Sequence, residues 1–557
     1  MATEAGGARA GSALWIPVLG AAVLAGFVAA HVAGDVPFTT DEANHANIAL
    51  KQFQDLRDGR FVDFLRHSYR TGQFPFLHGW SVLPWFAAFG ASESAARAAQ
   101  CAAFVLGAAA TGWAAFRASG DDRRAAAVGA GLFATSPLLA TLAGMSMLET
   151  PGAAATAVAL AVFAEACRAP RPGESVRRAV LWHLATAAAA LATYFTKLNY
   201  GLWILPALGA GYAVRWLRAD ARRAALRDAL VYVGAVVVVL AAWYSTPAQR
   251  AAFMGFLHNP SQAVPVESDD STFRVPGLSP GNFTAYVGIL ASDYHAHWIV
   301  GAAVLAAAAY GARAALRRPE TAAAAACFAW TLLVLSMGFR EYTLPRFIAS
   351  ALPALWVLAA VGAAEALRGA RGRPWTAAGA AALALGLGAQ FARQPDLLAA
   401  AYKTDGRFAK VFEFVGDEIP PRSSVLVVGY TDKTSARTLQ WRLGARPGTA
   451  WRDYDVVGFN SERVYESAKR FDAWMTRPRP WGDPDWSSFV VEIATGPRYL
   501  DAAVVLPETA ALWRNAVARN EGRLVRVAER RFEDLDVTAT VWRDASPPPH
   551  VGLRGGR

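Results

Sequence analysis

The sequence predicts a polytopic all-α membrane domain with about eleven transmembrane helices over residues 1–395, followed by a soluble α/β domain over residues 400–557. Three observations lead there. Of the 557 residues 54% are hydrophobic and only 18% are charged, with a mean hydropathy of +0.22, too apolar for a surface that faces water throughout. The apolar residues gather in nearly charge-free runs of 15–22 residues, most of which can cross about 30 Å of hydrocarbon. After Phe391 the runs shorten and alternate with polar stretches.

The first run, Ser12–Ala33, is preceded by one basic residue, Arg9, and followed by ten similar runs, so it reads as an anchor rather than a cleaved signal. The others are Ala95–Phe116, Ala125–Leu142, Thr150–Ala166, Ala179–Phe195, Leu198–Tyr212, Ala229–Tyr244, Trp298–Ala312, Thr321–Gly338, Phe347–Ala364 and Trp375–Phe391. With a cytoplasmic N-terminus, the loops on that side hold eighteen arginines against seven acidic residues, as the positive-inside bias requires. The net charge of +11 is thereby explained by topology, and its spread over short turns argues against a nucleic-acid surface. Phe74–Phe89 is apolar and aromatic but contains Pro75, His78 and Pro84, and is placed along the outer membrane face. Cys101, Cys167 and Cys327 lie in or beside membrane runs and imply no disulfide framework.

In the terminal region Ser424–Val428, Tyr454–Gly458, Phe489–Ile493, Ala502–Leu506 and Val537–Trp542 read as strands and Glu462–Trp474 as a helix. Eleven crossings would put this domain on the outer side, periplasmic or extracellular. Val425–Val428 ends at Gly429, but no complete glycine-rich phosphate loop follows, which argues against a nucleotide cofactor.

Every polar residue that invites a chemical reading falls at an outer boundary. Asp41 and His45 are four apart, on one face of a helix with Glu42 beside them. A carboxylate there can take a proton from an acceptor hydroxyl or amine as it attacks a sugar carbon; the same residues also suit a solvated helix start. Glu149 sits between Leu148 and Thr150, where an unpaired carboxylate is costly, and three roles stand open: orienting an acceptor, binding a metal with Asp41, or pairing with a base. Lys197 and Arg346 offer cations near headgroup depth, suited to a lipid-borne phosphate or to snorkelling anchorage. Arg340 and Glu341 are adjacent and can bind substrate or neutralise each other. The outer histidines, His45 and His295 among them, form no short metal-binding motif, and Asp293 with His297 leaves a divalent ion open.

In the order Asp41-Glu42 after the first helix, Pro75-Phe76-Leu77 before an aromatic segment, Glu149, Thr196-Lys197, and Arg346-Phe347 followed by Pro353, the chain to about Phe391 resembles the GT-C superfamily, especially its aminoarabinose-transferase and protein-mannosyltransferase-like branch. The terminal domain resembles no particular family. The resemblance implies an inverting sugar transfer from a polyprenyl-phosphate donor on the outer face of the cytoplasmic (inner) membrane, with Asp41 as base and an outer cavity open to lipid. The acceptor would be a lipid, a glycan or a protein. The family often has two prolines before leucine in its first outer loop, preceded by a phosphate-binding lysine; here Phe76 and Phe74 stand instead, and Arg70 is the cation that could substitute. The rivals are a transporter, since buried charge also marks substrate pathways, and a non-catalytic membrane scaffold.

Overall fold

The computed structural model describes the chain except residues 1–3, 33–35, 70–74, 169–174, 248, 252, 254–279, 296, 338–344, 370–373, 402–405, 430–434, 460–486, 496–514, 516, 521 and 546–557. In chain order the helices begin with α1 Glu4–Val32, α2 Thr40–Arg57, α3 Phe61–Tyr69, α4 Leu77–Phe89, α5 Glu93–Ala118, α6 Arg123–Thr135, α7 Pro137–Ala143 and α8 Glu149–Cys167. There follow α9 Val176–Thr196, α10 Leu198–Arg218, α11 Arg222–Trp243, α12 Pro280–Ser292, α13 Trp298–Ala312 and α14 Pro319–Ser336. A 3-10 segment, Pro345–Ala351, leads into α15 Leu352–Gly369, and α16 runs Pro374–Ala401. The terminal region holds α17 Ala409–Glu418, β1 Ser423–Gly429, α18 Ala436–Gly444, β2 Tyr454–Phe459, β3 Ser487–Thr495, β4 Leu524–Phe532 and β5 Val537–Asp544.

The expected eleven crossings are not found. Among the described residues six helices are long and apolar enough to cross a membrane: α5, α8, α9, α11, α14 and the stretch Pro345–Gly369. A seventh is reached if α6 and α7, bent by 62° at Ser136, count as one. The excess came from treating every apolar run as a crossing. Trp298–Ala312 is an apolar helix of 15 residues, shorter than about 30 Å at about 1.5 Å per residue, and within α1 the apolar stretch is Trp15–Ala30. Leu198–Arg218 carries Asn199, Arg215 and Arg218, and the second half of α16 carries Gln390, Arg393 and Gln394. The argument from an odd number of crossings, which put the termini on opposite sides, falls with the count.

The chain divides into two compact units. The first comprises Met1–Val32, Ser68–His78 and Arg97–Lys403 and is all helical, around a core of alanine, leucine and aromatic side chains that includes Phe104, Phe133, Phe163 and Trp356. Small residues bring its helices together. At the α13–α15 crossing a Cβ on Gly311 would lie 2.0 Å from the Leu358 carbonyl oxygen and one on Gly362 would lie 2.0 Å from that of Ala307, so the two backbones touch there.

The second unit is assembled from Ala33–His67, Gly79–Ala96 and Thr404–Arg557. Its sheet has the order β2-β1-β3-β5-β4, with β1 parallel to β2 and β3, and β5 antiparallel to β3 and β4. The parallel core strand Ser423–Gly429 is apolar on both faces, as burial by helices on each side demands. β2 and β4 are the edges of this sheet, and the run Leu524–Phe532 of β4 carries Arg526, Glu529, Arg530 and Arg531, charges that discourage pairing with a second chain. The expected helix Glu462–Trp474 and strand Ala502–Leu506 lie outside the described residues.

Candidate functional site

In the helical unit a break between two helices creates the site. Thr196 ends α9 and Leu198 begins α10, with Lys197 between them in extended conformation (φ −155°, ψ 128°). The break aims the lysine at the first residue of α8. Lys197 Nζ donates to Glu149 Oε1 at 3.2 Å and lies 3.5 Å from the Tyr200 hydroxyl and 5.0 Å from the Tyr200 ring centroid. Glu149 is 2% exposed, and its Oε2 has no hydrogen-bond partner among the described residues. A carboxylate at that position opens α8 and faces the positive end of its helix dipole. Gly152, one turn further on, leaves room for Tyr200: a Cβ there would meet the ring at 2.2 Å.

The 3-10 segment that carries Arg346 packs against α8. Arg346, Glu149 and Tyr294 all lie within electrostatic reach of Tyr200. The Tyr294 hydroxyl donates to the Pro345 carbonyl at 2.5 Å, and the Tyr294 carbonyl accepts from Ser136 at 3.2 Å, so this tyrosine ties the start of the arginine segment to the α6–α7 bend. Its neighbour His295 is buried, with Nδ1 3.4 Å from the Gln390 side chain. Burial pulls the His295 pKa down to about 4 against the opposing effect of the Gln390 hydrogen bond. The structure thus brings together Glu149, Lys197 and Arg346, and adds Tyr200 and Tyr294. Tyr200 could have been found as the residue three after Lys197, in the first turn of α10; Tyr294 carried no sequence signal.

The other expected residues belong to the second unit. Asp41 is exposed on the first turn of α2, whereas Glu42 and His45 are buried. The Glu42 carboxylate accepts from the Thr39 amide at 3.1 Å and the Thr39 hydroxyl at 3.2 Å, the side-chain half of a capping box. Glu42 therefore already holds the start of α2, and Asp41 is the carboxylate presented outward. Arg70, Arg340 and Glu341 lie outside the described residues.

Asp293 and His297, weighed as metal ligands, have local tasks: Asp293 accepts from Ser292 at 2.6 Å, and His297 Nδ1 accepts from the Ile299 amide as the cap of α13. Among the described residues no group of three or more His, Cys, Asp or Glu is gathered that could hold a metal ion.

The family described as dolichyl-phosphate-mannose-protein mannosyltransferase matches residues 49–251, a span that holds Glu149 and Lys197. No curated protein matches the chain in sequence. Among solved structures the chain is similar to ArnT from Cupriavidus metallidurans bound to undecaprenyl phosphate, with a TM-score of 0.59 and 17% identity over 95% of this chain and 98% of that one. It is also similar to the arabinofuranosyltransferase AftD from Mycobacteria (TM-score 0.53, 14% identity, 96% of this chain and 40% of that one). A third likeness is to the Archaeoglobus fulgidus oligosaccharyltransferase in complex with Zn and sulfate (0.50, 13%, 85% and 67%). The chain thus shares the fold of these membrane transferases, and over residues 49–251 its sequence is similar to the protein-mannosyltransferase family.

Proposed function

We propose that the chain is a membrane glycosyltransferase that takes a sugar from a polyprenyl-phosphate donor and passes it, with inversion, to a lipid, glycan or protein acceptor. The observation that carries this reading is the buried Glu149–Lys197–Tyr200 group beside the arginine segment, which keeps one carboxylate oxygen unspent inside an apolar unit. A buried polar group without a partner is costly, and a substrate hydroxyl or amine is the kind of group that satisfies it. The cations Lys197 and Arg346 match a phosphate that gains charge as it leaves.

In this reading Asp41 takes the proton of the acceptor hydroxyl or amine, the acceptor lone pair attacks the anomeric carbon, and the bond from that carbon to the phosphate oxygen breaks. Polyprenyl phosphate leaves with the electron pair. Glu149 orients the acceptor, and Lys197 and Arg346 stabilise the departing phosphate. The fold shared with a protein solved with undecaprenyl phosphate supports a lipid-linked donor. We place the reaction on the outer face of the cytoplasmic membrane, with the N-terminus cytoplasmic and the C-terminal domain outside.

The test is covalent. Membranes containing the chain are incubated with polyprenyl-phosphate hexoses and pentoses, and products are read by mass. Sugar-bearing product that disappears in Glu149→Ala membranes is expected. Movement of the intact donor across vesicles without any new product would favour a transporter instead.

A further inference from the structure

The second unit encloses α2 along its length. Asn47, Leu50, Lys51 and Gln54 recur at the spacing of one helical face, and each meets the strand-bearing region near α18. Asn47 Nδ2 donates to the Arg437 carbonyl at 2.9 Å. Leu50 lies against Gly444, and Lys51 Nζ lies 4.2 Å from the Trp451 ring centroid. Gln54 is held at both ends: Nε2 donates to the Gly444 carbonyl at 2.8 Å, and Oε1 accepts from the Trp451 amide at 2.6 Å. The residues that enter α2 are gripped as well. Thr438 donates to the Phe38 carbonyl at 3.1 Å, and the Phe38 ring meets Trp441 edge-on at 5.0 Å.

These grips rest on a rigid base. Gln440, on the same short helix, donates to the Trp451 and Tyr454 carbonyls at 3.2 Å and accepts from the Val456 amide at 2.9 Å, tying α18 to β2. Hydrogen-bonded residues therefore run without interruption from the sheet through α18 to α2, whose first turn displays Asp41.

We propose that α18 and the following Trp451 turn form a clamp whose work is to hold α2, and that Gln54 is a positioning residue acting through Asp41. The proposal rests on the reading of Asp41 as the base. It assigns the C-terminal domain a part in the reaction although none of its residues need touch substrate. Gln54 suits the part because it bridges a helix end and the turn after it, two backbone groups that would otherwise have separate fates.

The full chain in detergent is compared with Gln54→Leu, Asp41→Asn and the double variant. Gln54→Leu should lower kcat by about 10-fold or more, since small misplacements of a reacting group are costly, while KM for the donor moves by less than about two-fold. In the Asp41→Asn background the same substitution should cause no further loss, because it acts through the missing carboxylate. Amide exchange over Asp41–Ala46 should quicken by about 10-fold in Gln54→Leu. A Gln54→Leu loss that multiplies that of Asp41→Asn, or exchange that stays as in wild type, overturns the clamp. Gln54→Glu, which keeps the Trp451 contact and gives up donation to Gly444, is read by the same criteria if the leucine variant does not fold. Wild-type protein that transfers no sugar sinks the functional reading alone, and the exchange measurement then decides the clamp.

Discussion

Lys197→Met should destabilise the protein more than the loss of an ordinary ion pair. Lys197 Nζ and Glu149 Oε1 are 3.2 Å apart, with the side chains 17% and 2% exposed. At an effective dielectric of about 20 the attraction is about 5 kcal/mol, most of it offset by the desolvation of the two charges. Methionine preserves the stem but leaves Glu149 a buried carboxylate with neither oxygen hydrogen-bonded, which costs about 3–5 kcal/mol. Glu149→Gln should cost only about 1–2 kcal/mol, because an amide oxygen still accepts from Lys197 and the ammonium keeps Tyr200 and some solvent. The double variant should be more stable than Lys197→Met alone, since the second change removes the stranded charge. Unfolding of the four proteins in one detergent, followed by tryptophan fluorescence against denaturant, gives the coupling directly. Costs that add, or a Lys197→Met loss below about 1 kcal/mol, would refute the claim that this pair is buried and mutually dependent.

Asp41→Asn should lower single-turnover transfer by about 10²-fold with little change in donor affinity, whereas Arg346→Ala should weaken donor binding as well; both are read with purified variants that melt like wild type. His295 gives a pH dependence: its folded pKa of about 4 lies below the ordinary 6.5, so its contribution to stability is present above pH 6.5 and is lost as pH falls toward 4. Melting of wild type should therefore drop between pH 7 and pH 4.5 by more than melting of His295→Gln does; equal drops would count against it. Gly311→Ala should cost about 1–3 kcal/mol, because its Cβ would meet a carbonyl of the facing helix rather than a movable side chain, and a thermal melt checks it. Cysteines at Asp417 and Arg222, both exposed, test orientation in a background without the native cysteines: an impermeant thiol reagent on intact cells should label position 417 and spare position 222.

Apolar runs located the helices well and their number of crossings poorly, for one reason. Hydropathy reports whether a segment avoids water, and a helix buried among other helices satisfies that as fully as one in lipid. The helix α10 shows this: Tyr200, Trp203, Ile204, Ala207 and Leu208 are buried, yet it is not among the helices apolar enough to span. The pairing of Lys197 with Glu149 needed three dimensions, since 48 residues separate them and only the extended lysine between α9 and α10 turns its side chain toward α8. β4 escaped notice because an edge strand shows one face to water, and Arg526, Glu529, Arg530 and Arg531 hide its alternation. Spacing set Asp41 and Glu42 side by side without showing which of them the helix start would occupy. Capping separated them, because the carboxylate three residues into a helix can reach back to the amide that starts it.

The 390 residues between Gln54 and Gly444 also set a schedule for biosynthesis. At about 5–20 residues per second, α2 leaves the ribosome roughly 20–80 s before the backbone groups it will bind exist. Throughout that interval Phe38 lacks Trp441, and Asn47 and Gln54 lack their carbonyls. These contacts can form only once the chain has been made as far as Trp451, so a stop between residues 403 and 437 removes the partners of Phe38, Asn47 and Gln54. Chains truncated there should expose α2 and the residues that enter it to proteolysis even though every one of those residues has been made.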